Sequence, residues 1–349
     1  MPATGAPAAP FVLPPPLSPF GEGAPGEARS RSPERARALH AAARKAFDRE
    51  DYQAAAQAAM GAVARGGRGQ LLLARIEARL GDVNGALYWL LRAAIEEGVD
   101  PAAARDDEAL APLRNDLRWP AVSAFLDQTS AYWAASGRRT LLFITPDRRT
   151  PGRPLPLVVA LHADGDEPAD FLDPQTYRAW ARKLGVAFVG VSATIPLGPR
   201  SFRWSHEPAD NTAHLARAVE EITRRLRIPG APVILLGFSE GAQAALVTAA
   251  LDPERYRGAI ALSPSSLGSP IAPIAPHPAL AGQRYVVAYA SFDSFDAVGT
   301  AYIDIDRLRE LGAEVDSHTA WFYGTHGLPP DYELQFPKWI DRLVGRAVP

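Results

Sequence analysis

The stretch APVILLGFSEGAQAALVTAAL (231–251) constrains this chain more than any other segment. An apolar run of strand character enters Gly237-Phe238-Ser239-Glu240-Gly241, and a helical apolar pattern leaves it at once. A serine between two glycines at a strand-to-helix junction marks a sharp, strained turn. There a Cβ on either neighbour would clash, and the serine hydroxyl is lifted above the sheet edge. Ser239 is therefore the candidate nucleophile.

The surrounding pattern agrees with such a turn. Seven short apolar runs, RTLLFIT, PLPLVVALHA, VAFVGVSA, APVILLGFS, GAIALSP, RYVVAYAS and EVDSHTAWFY, alternate with helical stretches such as 212–226 and 242–252. Continuous apolar strands are buried on both faces, and intervening helices imply crossovers, so the fold class expected is α/β with a mostly parallel, doubly wound sheet.

A serine hydroxyl needs a base, and the base an orienting carboxylate, in the chain order Ser, acid, His. Three histidines follow Ser239: His277, His318 and His326. His277 lies in a Pro-rich loop and His318 within a strand run, so His326, in the Gly-flanked loop Gly324-Thr325-His326-Gly327, is the expected base. The acid should follow RYVVAYAS. Asp293 lies nearer the strand end than Asp296 and is favoured, with Asp296 read as the cap of the next helix. An oxyanion site in such a fold takes main-chain N–H groups from the residue after the nucleophile, Glu240, and from the loop 161–165. Both acidic side chains there, Asp164 and Glu240, are expected to face solvent or a cation such as Arg203. The segment 196–204 follows a strand at its carboxyl edge, which assigns Phe202, Arg203 and Trp204 to substrate binding; a loop plugged by its own aromatics is the alternative.

Residues 156–166 (PLVVALHADGD), 233–264, 285–293 (YVVAYASFD) and 324–327 (GTHG) together resemble the carboxylesterase and phospholipase-like esterases of the α/β-hydrolase superfamily, over about 139–349. The resemblance implies cofactor-free hydrolysis of small or medium acyl esters, with the N–H groups of Asp164 and Glu240 as oxyanion donors. Ala163 stands where that family has glycine, and Glu240 where glutamine is common. Peptidases and thioesterases use the same triad, and a non-catalytic binding protein acting through its helical part is the other reading.

The chain's 349 residues leave room for more than this unit. Residues 1–31 are rich in proline, alanine and glycine and are expected to form a flexible tail. Residues 32–128 read as a small all-α domain, leaving 129–349 for the hydrolase unit. Within it, 47–66 and 79–98 align when Asp51 is set on Asp82, a period of 31 residues. Each copy places an acidic turn between two amphipathic helices, with Tyr52 or Val83 packing first and Ala55 or Ala86 allowing close approach. This resembles a tetratricopeptide repeat, which implies a surface for a protein partner.

A formal net charge of −2 leaves no electrostatic footprint for nucleic acid, and no run of 18 apolar residues predicts a membrane span. Without cysteine there is neither a disulfide nor a thiolate metal site. His206, Asp210 and His214 stand at helical spacing but lack a third strong ligand, so neither metal nor cofactor is predicted, and a small-molecule ester is the expected partner. The first 30 residues lack the basic start and apolar run of a signal peptide. The chain thus reads as soluble and cytoplasmic as written, or exported if a signal has been removed.

Overall fold

The computed structural model describes residues 33–136, 139–147, 154–265, 274–293, 295–317 and 324–345, with the side chains of 33 and 295–297 excluded. The chain divides into two compact units, Met1–Ala135 and Ser136–Pro349.

The first unit is all-helical: α1 (Pro33–Asp48), α2 (Tyr52–Val63), α3 (Gln70–Leu80), α4 (Val83–Glu96), α5 (Pro101–Asp106), α6 (Ala111–Arg114) and α7 (Trp119–Ala135). The sequence repeat has a local structural counterpart. Asp51 and Asp82 both cap the following helix, their carboxylates accepting the N–H groups of Ala54 and Gly85. Each is preceded by a residue in the left-handed region, Glu50 at φ 61° and Gly81 at φ 84°, which turns the chain back. Ala55 and Ala86 are fully buried where the helices approach each other. The expected boundary at residue 128 falls inside α7, which runs on to Ala135; an apolar face at Val122, Leu126 and Trp133 keeps the helix packed past that point.

Glu97 is the least expected feature of this unit. It is 3% exposed, and its carboxylate accepts the N–H groups of Gly69, Gln70 (2.8 Å) and Leu71 (3.2 Å) at the start of α3. Gly69 has no side chain with which to cap that helix, so the end of α4 supplies the cap. Glu97→Ala leaves three buried donors unsatisfied, and the unfolding free energy of the helical unit is expected to fall by about 3 kcal/mol. Denaturant titration followed by circular dichroism checks this.

The second unit contains β1 (Leu141–Ile144), β2 (Leu157–Leu161), α8 (Pro168–Phe171), α9 (Pro174–Leu184), β3 (Ala187–Val191), β4 (Ile195–Pro196), β5 (Phe202–Arg203), α10 (Pro208–Leu226), β6 (Val233–Phe238), α11 (Glu240–Leu251), β7 (Gly258–Leu262), β8 (Arg284–Ala288), α12 (Phe295–Glu310), β9 (Glu314–Asp316) and α13 (Tyr332–Leu343). Seven strands form one sheet in the order β1-β3-β2-β6-β7-β8-β9, parallel throughout except for β1. β4 and β5 make a separate small hairpin.

Alternation along the strands feeds two cores. Leu157, Val159 and Leu161 of β2 pack with residues of α10, α11 and α12 on one face, while Val158 and Ala160 pack with residues of α9 and α13 on the other. All five β2 residues are buried, which accounts for the unbroken apolar run. Among the described residues, no helix is long and apolar enough to cross a membrane.

Candidate active site

Ser239 sits between β6 and α11 at φ 58°, ψ −126°, a conformation costly for any residue with a side chain. The two flanking glycines are required by contact. A Cβ on Gly237 would lie 2.1 Å from the carbonyl oxygen of Gly241, and one on Gly241 would lie 2.3 Å from that of Leu161 and 2.4 Å from that of His162. These are backbone atoms of packed elements and cannot move aside cheaply. The same close approach sets the start of α11 against the loop that leaves β2.

His326 and Asp293 meet. The imidazole Nδ1 lies 2.7 Å from Asp293 Oδ2, and the Asp293 side chain is only 6% exposed against 37% for His326. With Nδ1–H donated to the carboxylate, Nε2 is left available as a base. The His326 ring also lies 5.2 Å from the ring of Phe238, the residue before Ser239. Two tethers hold the loop that carries it: Phe292 N–H donates to Gly324 O (3.0 Å), and the buried Ser263 hydroxyl donates to Gly327 O (2.6 Å).

No hydrogen bond joins Ser239 to His326 among the described residues. Ser239 Oγ instead lies 3.3 Å from Ser265 Oγ, while Ser239 N–H donates to Leu262 O at 3.0 Å. Such catalytic contacts are commonly long in free enzymes and tighten once substrate binds. The strap Ser263-Pro264-Ser265 thus touches Ser239 at one end and the loop of His326 at the other; the sequence reading missed it, because serines after a strand read as an ordinary turn.

Of the other histidines after Ser239, His277 is not brought to the site. His277 is exposed and its Nδ1 accepts Ala279 N–H, capping a short turn. His318 lies outside the described residues, and so does the side chain of Asp296.

The loop after β2 holds Asp164, which is exposed as expected. In Glu240 the Oε2 atom is shielded from solvent. Ala163 in place of glycine costs no strain: the positive φ in this loop falls on Gly165, at 71°, and Ala163 stays in the ordinary region.

Phe202 and Trp204 correct the sequence reading. They are 1% and 0% exposed, belong to the core on the α10–α11 face, and present no surface to a ligand arriving from solvent. The Trp204 indole N–H donates to His162 O at 2.9 Å, so these rings plug the hairpin beneath the loop. Arg203, between them, is half-buried and stays a candidate for an anionic substrate group. His214 is also internal: its Nε2 is 2.8 Å from Ser192 O. Burial above all, with Arg139 and Arg217 adding to it, holds its pKa below the ordinary histidine value against the opposing pull of that carbonyl. Asp210 accepts from Ser205, and among the described residues no group of three His, Asp or Glu is placed to hold a metal ion.

No family model and no curated protein matches the chain. Among solved structures it is similar to esterase PE8 at 19% identity, over 59% of this chain and 99% of that one, with a TM-score of 0.44. It is likewise similar to a Bacillus cereus carboxylesterase at 16% identity, over 61% and 99%, with a TM-score of 0.45. Acyl-protein thioesterase 2 of Zea mays stands at 15% identity, over 60% and 100%, with a TM-score of 0.42. The chain's own topology identifies the fold: a parallel sheet entered by one antiparallel strand, with a strained serine at the head of a central strand and an acid and a histidine brought together from later loops. Residues 136–349 adopt the α/β-hydrolase fold.

Proposed function

We propose that the second unit is a serine hydrolase that cleaves carboxylic esters through an acyl-enzyme on Ser239. The observation that carries this reading is the 2.7 Å contact between Asp293 and His326 beside the strained Ser239 turn. In this mechanism Ser239 Oγ attacks the ester carbonyl carbon as its proton passes to His326 Nε2, and Asp293 stabilises the imidazolium that forms. The carbonyl oxygen, now carrying the charge, accepts the N–H groups of Asp164 and Glu240. Collapse of the intermediate expels the alcohol, which takes the proton from His326. Water, activated by the same imidazole, then attacks the acyl carbon and frees Ser239.

A fluorophosphonate tests the reading directly. Peptide mapping is expected to place one adduct on Ser239; an unlabelled protein, or an adduct elsewhere, overturns it. Rates on matched p-nitrophenyl esters and thioesters of rising acyl length define the leaving-group preference.

All the groups in this mechanism come from 136–349, and the helical repeats are proposed to hold a protein partner. A chain beginning at Ser136 is therefore expected to keep kcat/KM on p-nitrophenyl acetate within about threefold of the full chain, an order-of-magnitude expectation for independent domains. A folded truncation that is a hundredfold slower would assign the helices to the chemistry.

A further inference from the structure

Within the loop proposed to hold the oxyanion, the one ionisable ring is buried completely and plays no part in the proton transfers. His162 is 0% exposed. Ala193 N–H donates to its Nε2 at 3.0 Å. A ring nitrogen that accepts a backbone N–H carries no proton, so the proton of the neutral ring resides on Nδ1. Nδ1 lies 2.7 Å from the carbonyl oxygen of Ala163, and the tautomer makes this a donated hydrogen bond.

That carbonyl belongs to the same peptide unit as the N–H of Asp164. The peptide is planar, and it is trans, since the chain contains no cis peptide among its described residues. Its C=O and N–H point in opposite directions, so whatever fixes the Ala163 oxygen also aims the Asp164 N–H. The Asp166 N–H donates to the same oxygen at 3.3 Å, closing the turn. The ring itself is held in place. Trp204 donates its indole N–H to His162 O, the Phe202 and Trp204 rings lie 6.1 Å and 5.8 Å from the imidazole, and Gly165 N–H donates to Phe202 O at 3.0 Å.

We propose that His162 is a positioning residue of the oxyanion site: its Nδ1–H holds the Ala163–Asp164 peptide so that the Asp164 N–H faces the reacting carbonyl. This rests on the reading of Ser239 as nucleophile. It also explains why two aromatic residues that look like substrate contacts are sunk beneath the loop, where they wall the imidazole.

The two roles of the ring are separable by substitution. An amide at Nδ1's distance from the backbone, as in His162→Asn, keeps a donor for Ala163; the longer His162→Gln keeps an acceptor for Ala193 and loses that donor. On p-nitrophenyl acetate, His162→Gln is expected to lose about 100-fold in kcat, the scale of one oxyanion donor, with KM little changed. Inhibition by a trifluoromethyl ketone, whose adduct bears the oxyanion, should weaken by a similar factor. His162→Asn should retain most of both. A kcat for His162→Gln within threefold of native, or equal losses in the two variants, overturns the proposal.

The native protein supplies an independent measurement. Nitrogen-15 spectra are expected to show His162 protonated on Nδ1 alone at neutral pH; an Nε2–H tautomer or an imidazolium rejects the bracket, and this spectrum decides alone if neither variant folds. Fluorophosphonate labelling of native protein separates the two ideas, because failure to label removes the nucleophile while leaving the tautomer result standing.

Discussion

Ser239→Ala is expected to lower kcat on a p-nitrophenyl ester by roughly a million-fold, the scale seen when a triad nucleophile is removed, while the melting temperature stays within a degree or two. In the proposed mechanism the Ser239 hydroxyl is the attacking group, and alanine keeps the Cβ, so it meets the same backbone strain at φ 58°. Among the described residues the hydroxyl's hydrogen bond is the 3.3 Å contact with Ser265, whose loss costs the fold little. Rates from active-site-titrated enzyme, with scanning calorimetry on the same sample, measure both halves. A variant with more than about a thousandth of native turnover would show that another group attacks, on the scale set by a nucleophile deletion.

Asp293→Asn is expected to cost about 10⁴ in kcat, because an amide in place of the carboxylate favours the wrong imidazole tautomer. Asp293 is well placed to impose this loss: its side chain is 6% exposed, and its Oδ2 lies 2.7 Å from Nδ1 of His326. Asp296 is the second residue of α12, so it does not hold the cap position read from the sequence; Asp296→Asn should change kcat by less than about threefold, the small effect expected away from the orienting carboxylate. The reverse ranking would transfer the orienting role to Asp296.

What the sequence made legible was local. The glycines around Ser239 announce their turn because two close contacts forbid a Cβ, and the strands announce themselves because both faces of the sheet are covered. Asp51 and Asp82 were readable as equivalents because an N-cap uses residues adjacent in the chain. Interactions between distant segments left no such trace. Nothing in sequence tells Phe202 and Trp204 as pocket walls from the same rings as plugs, since burial depends on which way the β4–β5 hairpin lies. Glu97 reads as a solvated residue at a helix end until Gly69, 28 residues earlier, turns out to need its carboxylate. His162 was noticed only for the backbone beside it, because its role depends on Ala193, 31 residues away.

The strain at Ser239 bears on how the chain came to keep this residue. A left-handed φ with ψ near −126° costs a residue bearing a Cβ about 1–3 kcal/mol and glycine almost nothing. Glycine gives back about 0.4–1 kcal/mol through its freer unfolded state, so Ser239→Gly should come out more stable than native by about 1 kcal/mol while having no nucleophile at all. In the proposed mechanism, the serine exchanges that conformational comfort for reactivity. A higher melting temperature for the inactive glycine variant would put a number on that trade.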